Sequence, residues 1–369
     1  MKKTFIILLI LVFFALSLCL GASALSTSAQ SAVLIDGHGG SVLYEKNAHS
    51  RMGMASTTKI MTALVAIENC PLNKQVQIDD KAVGIEGSSI YLTHGESLTM
   101  EQLLYALLLQ SANDAATAIA IEVAGSIEDF AALMNEKAET MGLKDTHFTN
   151  PHGLYDDNHY TTAFELAVIT KHALENETFR QIVSTVKQTI PLNNGDGTRL
   201  LVNHNKLLRL YDDAIGVKTG FTKKTGRCLV SAAEKDGTTV IAVTLNAPND
   251  WNDHIAMLDL GFEKVKTYHL TAPNGITLKV PVVGGTFDYV TVTNPGGLSY
   301  TCEKSTANIT SELIIDRFLF APVKQNDVIG YVVYYNNGEE IGRVDLLAQN
   351  DVSKKKYKKT ILDFFRSII

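Results

Sequence analysis

Apolar and polar positions follow two rhythms along this chain, and the place where one rhythm gives out divides it. Between residues 30 and 262 the rhythms are mixed. Ser31 to Ile35 and Ser41 to Tyr44 are β-rich runs either side of Asp36-Gly37-His38-Gly39-Gly40, whose turn formers predict a hairpin. After Ser56, apolar residues recur at Ile60, Ala63, Leu64 and Ile67, one face of a helix that Pro71 stops. Helical spacing returns over Met100 to Gln110, Asp114 to Val123 (ending at Gly125), Ile127 to Met141 and Thr162 to Leu174. Strand-like runs follow at Ala214 to Lys218, Cys228 to Ala233 and Thr238 to Leu245, the last two joined by the turn Lys235-Asp236-Gly237. A helix from about Asp250 to Glu263 closes this part. Strands at both ends with helices between them predict a mixed α/β fold, its sheet built from distant segments and covered by a helical cluster.

From Thr267 to Ala348 helical periodicity largely disappears. Val328 to Tyr335, Asn336-Asn337-Gly338 and Ile341 to Leu346 read as a hairpin within a smaller all-β domain. The last stretch changes again. Lys354, Lys355, Lys356, Lys358, Lys359 and Arg366 face Asp363 alone, while Tyr357, Ile361, Phe364, Phe365 and Ile368 recur at helical spacing. This predicts a basic amphipathic helix on an anionic membrane surface, the alternative being a terminal helix docked on its own protein.

The start has the three zones of a secretory signal: Met1-Lys2-Lys3, the apolar run Phe5 to Leu20, and Ala22-Ser23-Ala24. An uncleaved anchor is the alternative; Leu18 before Cys19 argues against lipid attachment there. The expected organisation is a signal at 1–24, an α/β domain at 25–264, a β-rich domain at 265–350 and a membrane-associating tail at 351–369.

Composition adds little beyond exclusions. With 46% hydrophobic and 20% charged residues among 369, the chain can bury a large core, and neither disorder nor a repeat array is indicated. Removing residues 1–24 takes the formal net charge from -6 to -8, which argues against nucleic acid as a partner. Cys70, Cys228 and Cys302 then remain, an odd and scattered set that makes no disulfide framework.

Ser56-Thr57-Thr58-Lys59 opens a helix, so a hydroxyl and an amine lie three positions apart on one face. A serine needs an adjacent base, and a desolvated lysine of lowered pKa can be one. The free N–H groups of the helix start favour charge developing at an attacked carbonyl. Ser184 with Lys187 and Ser353 with Lys356 share the spacing, but only Ser56 begins a strongly apolar helix; a plain helix cap is the alternative. Ser111-Ala112-Asn113, the sole Ser-x-Asn, sits between two helical patterns. Its hydroxyl can relay a proton and its amide can hold a substrate peptide bond, or it caps the helix near Asp114. Lys218-Thr219-Gly220 supplies a cation and a hydroxyl for a carboxylate, with a glycine for close approach. Its double, Lys224-Thr225-Gly226, lies in a loop and is expected to be solvated, whereas the first follows the strand-like run Ala214 to Val217.

In this order, separated by 55 and 107 residues, the three elements resemble the penicillin-recognising serine enzymes. Within them the chain resembles the D-alanyl-D-alanine carboxypeptidases of the low-molecular-mass penicillin-binding proteins. Further stretches carry that resemblance: Leu43 to Asn47, Ala55 to Ala63, Leu103 to Ala116, Phe148 to Leu154 and Gly216 to Thr222. Departures are Gly53-Met54, where a proline often precedes the Ala-Ser, and Ala163-Phe164 in place of Ala-Arg. The resemblance implies a catalytic domain of the β-lactamase/transpeptidase-like type followed by a small all-β domain. It implies Ser56 as nucleophile forming an acyl-enzyme, Lys59 as its base and Ser111 as proton relay. Lys218 and Thr219 would hold the terminal carboxylate of a D-Ala-D-Ala stem peptide or of a β-lactam, and the N–H groups of Ser56 and Phe221 would form the oxyanion hole. His152, in a Pro-x-Gly turn, reads as supporting structure before it reads as a base. The protein would work outside the cytoplasm, peripheral on the outer face of the cytoplasmic membrane. No metal or cofactor is implied. A β-lactamase is the nearest rival, although no Glu-x-x-Leu-Asn segment lies between Ser111 and Lys218. A catalytically silent wall-binding module is the rival from another class, and endopeptidase action on cross-links would use identical groups.

Overall fold

The computed structural model describes residues 25–192 and 197–356, so the signal segment and the tail beyond Lys356 lie outside the described residues. The chain forms two compact units, divided between Glu263 and Lys264. The first is mixed α/β and the second is all-β.

The first unit is built on a five-stranded antiparallel sheet in the order Val42–Lys46, Ser31–Asp36, Thr238–Leu245, Gly226–Lys235, Ala214–Thr222. The middle strand is buried along its whole length, which is why it reads as a nearly continuous apolar run. Its side chains alternate between two faces. Ile241, Val243 and Leu245 enter the core shared with the helical cluster. On the opposite face Thr244 bonds His254 in the helix Asp250–Lys264, 2.9 Å away. A Cβ on Gly261 of that helix would lie 2.9 Å from Val240 Cγ1, so a glycine lets helix and sheet approach closely.

At the centre of the cluster stands the helix Lys59–Asn69, buried from Lys59 to Ala66, with the helices Met100–Leu109, Asn113–Ala124, Ile127–Thr140 and Ala163–Leu174 around it. Capping follows the sequence: Thr99 with Gln102 makes a capping box, and Gly125, at φ 84°, ends the helix that Asn113 begins.

One helix and four strands were not legible in the periodicity. The helix Glu177–Ser184 has eight residues; the strands Lys187–Leu192 and Gly197–Val202 pair around a Pro191 that argues against a strand; and Gln75–Gln77 pairs Ser97–Thr99 over three residues each. These pieces are too short or too interrupted to show a period, and tertiary packing selects them.

The second unit has a six-stranded sheet in the order Ile309–Ile315, Val328–Asn336, Glu339–Ala348, Tyr289–Thr293, Thr277–Val283, Leu319–Phe320, and a separate pair, Val265–Thr271 with Leu298–Glu303. Its core includes Val280, Val290, Val292, Val332 and Leu346. Among the described residues no helix is long and apolar enough to cross a membrane.

Candidate active site

Ser56 does not stand in the α-helix but in a 3-10 turn, Ala55–Thr58, that runs into it. In a 3-10 turn residues i and i+3 eclipse. Lys59 is therefore carried over Ser56, with Nζ 3.1 Å from Oγ. The turn is held from inside, since Thr57 Oγ1 donates to Met54 O at 2.6 Å and Thr58 Oγ1 to Ala55 O at 2.7 Å. Ala55 itself has φ 48°, a left-handed conformation that a side chain resists. What presses on it is Gly153, where a Cβ would fall 2.0 Å from Ala55 O.

Lys59 is fully buried, and two further acceptors hold it: Asn113 Oδ1 at 2.7 Å and the His152 carbonyl oxygen at 2.6 Å. Burial first, and the nearby Lys218 charge second, hold its pKa well below the usual lysine range. A neutral amine has two N–H bonds and one lone pair. Both carbonyl acceptors demand the N–H bonds, so the lone pair is left for the Ser56 hydroxyl.

Asn113 is placed differently from the expectation that its amide faces substrate. Its Oδ1 takes Lys59 and its Nδ2 donates to Glu86 O at 2.6 Å, so both ends are engaged inside the protein. Ser111, at φ 59° in the short link before Ala112 and Asn113, lines the same cavity as Ser56. That cavity, about 300 Å³, is walled on one side by Thr219, Gly220 and Phe221 of the edge strand Ala214–Thr222. Gly220 lies against the serine turn; a Cβ there would be 3.1 Å from Ser56 N. Lys218 is 1% exposed, does not line the cavity, and donates to Thr219 O at 2.9 Å. Burial lowers its pKa to about 7. The hydroxyl in the cavity wall is that of Thr219.

His152 supports Lys59 through its carbonyl. Its ring Nδ1 accepts from Leu154 N at 3.2 Å, and burial, with Lys59 and His159 adding to it, lowers its pKa to about 3. The competing motifs separate cleanly. Ser184 ends a helix and Lys187 begins a strand; Ser353 and Lys356 are exposed. Lys224 is exposed over the Tyr155 ring, but Thr225 is buried and bonds Thr222 Oγ1 at 2.9 Å, so the second Lys-Thr-Gly is only partly solvated.

The cavity has further lining that motif reading did not find: Arg227, Asp250, Trp251 and Ser88. Arg227 Nη2 donates to Asp250 Oδ1 at 2.9 Å, and its guanidinium carbon lies 5.8 Å from the Trp251 ring centre. The side chain is 43% exposed, and its Nε is without a partner. The strand-like runs at Ala214 to Lys218 and Cys228 to Ala233 stood unjoined in the sequence; their pairing, extended through Lys218-Thr219-Gly220, sets Phe221 against Arg227. Ser88 lies in the non-periodic stretch that Asp114 organises by accepting from Ser89 Oγ and from the N–H groups of Ile90 and Leu92. A buried ion pair, Glu96 with Arg199, fixes the same stretch, since Arg199 Nη2 also donates to Tyr91 O.

Comparison with known proteins follows the same division. A family model described as D-alanyl-D-alanine carboxypeptidase matches residues 20–249, and one described as penicillin-binding protein 5, C-terminal domain, matches 262–354. The D-alanyl-D-alanine carboxypeptidase DacF of Bacillus subtilis is 33% identical over 356 residues, 93% of this chain and 91% of that protein. The solved penicillin-binding protein 5 of Haemophilus influenzae superposes with a TM-score of 0.66 at 28% identity, over 90% of this chain and all of that one. A mutant of the Streptomyces K15 DD-transpeptidase gives 0.62 at 34% identity, over 64% of this chain and 98% of that one.

Proposed function

This chain belongs to the D-alanyl-D-alanine carboxypeptidase family and is a hydrolase of that type, and we propose that it works through an acyl-enzyme on Ser56. The observation that carries the proposal is the setting of Lys59 Nζ: two carbonyl acceptors at 2.6 and 2.7 Å can take the N–H bonds of the neutral amine, and Ser56 Oγ stands 3.1 Å away for its lone pair.

Neutral Lys59 takes the Ser56 proton as Oγ attacks the carbonyl carbon of the penultimate D-alanine. The developing oxyanion is met by the N–H groups of Ser56 and Phe221, each worth roughly 3 kcal/mol in systems of this kind. As the tetrahedral species collapses, the C–N bond breaks, and Ser111 passes the proton from Lys59 to the leaving amine of D-alanine. Water then cleaves the ester. The terminal carboxylate is held by Thr219, with Lys218 behind it and the half-exposed Arg227 of the adjoining strand, itself paired with Asp250, supplying positive charge. A β-lactam enters the same path, but its leaving amine stays tethered after ring opening, so the acyl-enzyme outlives the one formed on a peptide.

Substrate would be met outside the cytoplasm, with the chain held to the outer face of the cytoplasmic membrane by its basic amphipathic tail. Support for that comes from the signal-like residues 1–24 and the sequence of residues 351–369. Fluorescent penicillin tests the chemistry. Stable labelling lost in Ser56→Ala is the expected result; labelling that survives the substitution moves the nucleophile elsewhere, and rapid turnover without a lasting adduct makes the protein a β-lactamase.

A further inference from the structure

The all-β unit carries an aromatic cluster that its core does not use. Val283, Phe287, Phe318 and Phe320 are each half or more exposed, and the Phe318 and Phe320 rings stack edge to face at 5.5 Å. Sheet topology gathers them at one end. The chain leaves the edge strand Ile309–Ile315, passes Asp316, Arg317 and Phe318, and enters the opposite edge strand, where Phe320 pairs Val283. The register of the intervening strands puts Val328 and Ala348 at that same end. Single exposed apolar residues need no explanation; several gathered at one sheet end, two of them in ring contact, suit a contact surface.

The outgoing chain is strapped to this end. Thr286 N donates to Ser353 O and Lys355 N donates to Gly284 O, both at 2.8 Å, so residues 353–355 lie along the loop that bears Phe287. Lys354, Lys355 and Lys356 therefore stand beside the aromatic cluster, with Arg317 and Lys324 nearby in sequence to the same strand ends. Of the acidic residues here, Asp327 and Asp351 accept backbone N–H groups of Lys324 and Gln325, while Asp288 and Asp316 are exposed. The thirteen residues that follow Lys356 add Lys358, Lys359 and Arg366 against Asp363, with Phe364 and Phe365 among them.

We propose that this end of the β sheet is a membrane-contact surface in its own right: Phe287, Phe318 and Phe320 enter the headgroup boundary of an anionic bilayer while the neighbouring lysines meet its phosphates. The proposal rests on the reading of the tail as a membrane anchor and adds a second, folded contact beside it. Two contacts fix the β-rich unit against the bilayer, where a tail alone would leave it tethered.

Four proteins test it: residues 25–369 and residues 25–356, each with and without Phe287→Ser, Phe318→Ser and Phe320→Ser together. Each is sedimented with vesicles of phosphatidylglycerol and phosphatidylcholine. The triple substitution is expected to weaken binding of the longer chain by about tenfold, with penicillin labelling and thermal unfolding unchanged. The shorter chain is expected to keep weak, salt-sensitive binding that the triple substitution removes. Equal binding of the longer chain with and without the substitutions overturns the proposal; if truncation then abolishes binding, the tail reading stands alone. Loss through the substitutions with no effect of truncation overturns the tail reading and leaves the sheet end as anchor. Self-association without vesicles that the substitutions abolish assigns the face to a second copy of the chain and overturns the membrane contact.

Discussion

Two buried lysines, Lys59 and Lys218, stand beside the cleft. Lys59 must be neutral to accept a proton, and its burial beside Lys218 makes that state accessible. The rate of acylation by penicillin is therefore expected to rise with pH as Lys59 loses its proton. Removing the positive neighbour eases protonation of Lys59, so Lys218→Met is expected to move the ascending limb to higher pH as well as lowering its plateau. His152, already lowered to about 3, is neutral throughout, and His152→Gln should leave the limb where it is. Rate-against-pH profiles of the three proteins check this; a limb that follows His152 would make the imidazole the base. At this scale the spacing of Ser56 and Lys59 was legible, because three positions of one turn fix their approach. The duty of Asn113 was not, since its partners Lys59 and Glu86 lie 54 and 27 positions away.

Among the elements, the turn that bears Ser56 is held in place from outside its own segment. Ala55 tolerates φ 48° because the loop Asn150–Leu154 closes over it, and Gly153 alone fits there. Gly153→Ala places a methyl into the Ala55 carbonyl at a residue whose own φ is 84°. A loss of roughly 2–4 kcal/mol is expected, read as a lower thermal midpoint together with slowed penicillin labelling. An unchanged midpoint would show that the loop is free to move away. Long helices such as Ile127–Thr140 were legible from their period, whereas the paired strands Lys187–Leu192 and Gly197–Val202 were not, because Pro191 and a burial pattern with one buried position in each hide them.

In the whole molecule, two hydrophobic cores among the described residues share no residue; one belongs to the α/β unit and the other to the all-β unit. The reactive cavity is lined only from the first. A chain of residues 25–264 is accordingly expected to fold and to bind fluorescent penicillin with the rate of the full protein. A fragment that folds but labels more than about tenfold slower would give the second unit a part in the chemistry. Sheet order was legible only in outline. Strands from both ends of the first unit were expected to meet, but that Thr238–Leu245 lies between Ser31–Asp36 and Gly226–Lys235 is decided by packing.

The sequence by itself determined the reacting types and the local geometry that a few residues can impose: the Ser-Lys step, the Ser-x-Asn link, the Lys-Thr-Gly strand, and a β-rich segment after a mixed one. Short-range spacing is enough for these because a turn or strand fixes where neighbours point. Only the tertiary structure decided that Lys218 sits behind the wall, that Arg227 and Trp251 complete it, and that Lys59 has its proton affinity lowered. Those properties arise from atoms remote in sequence, through desolvation, sheet register and close contact at glycine, and no local pattern records them.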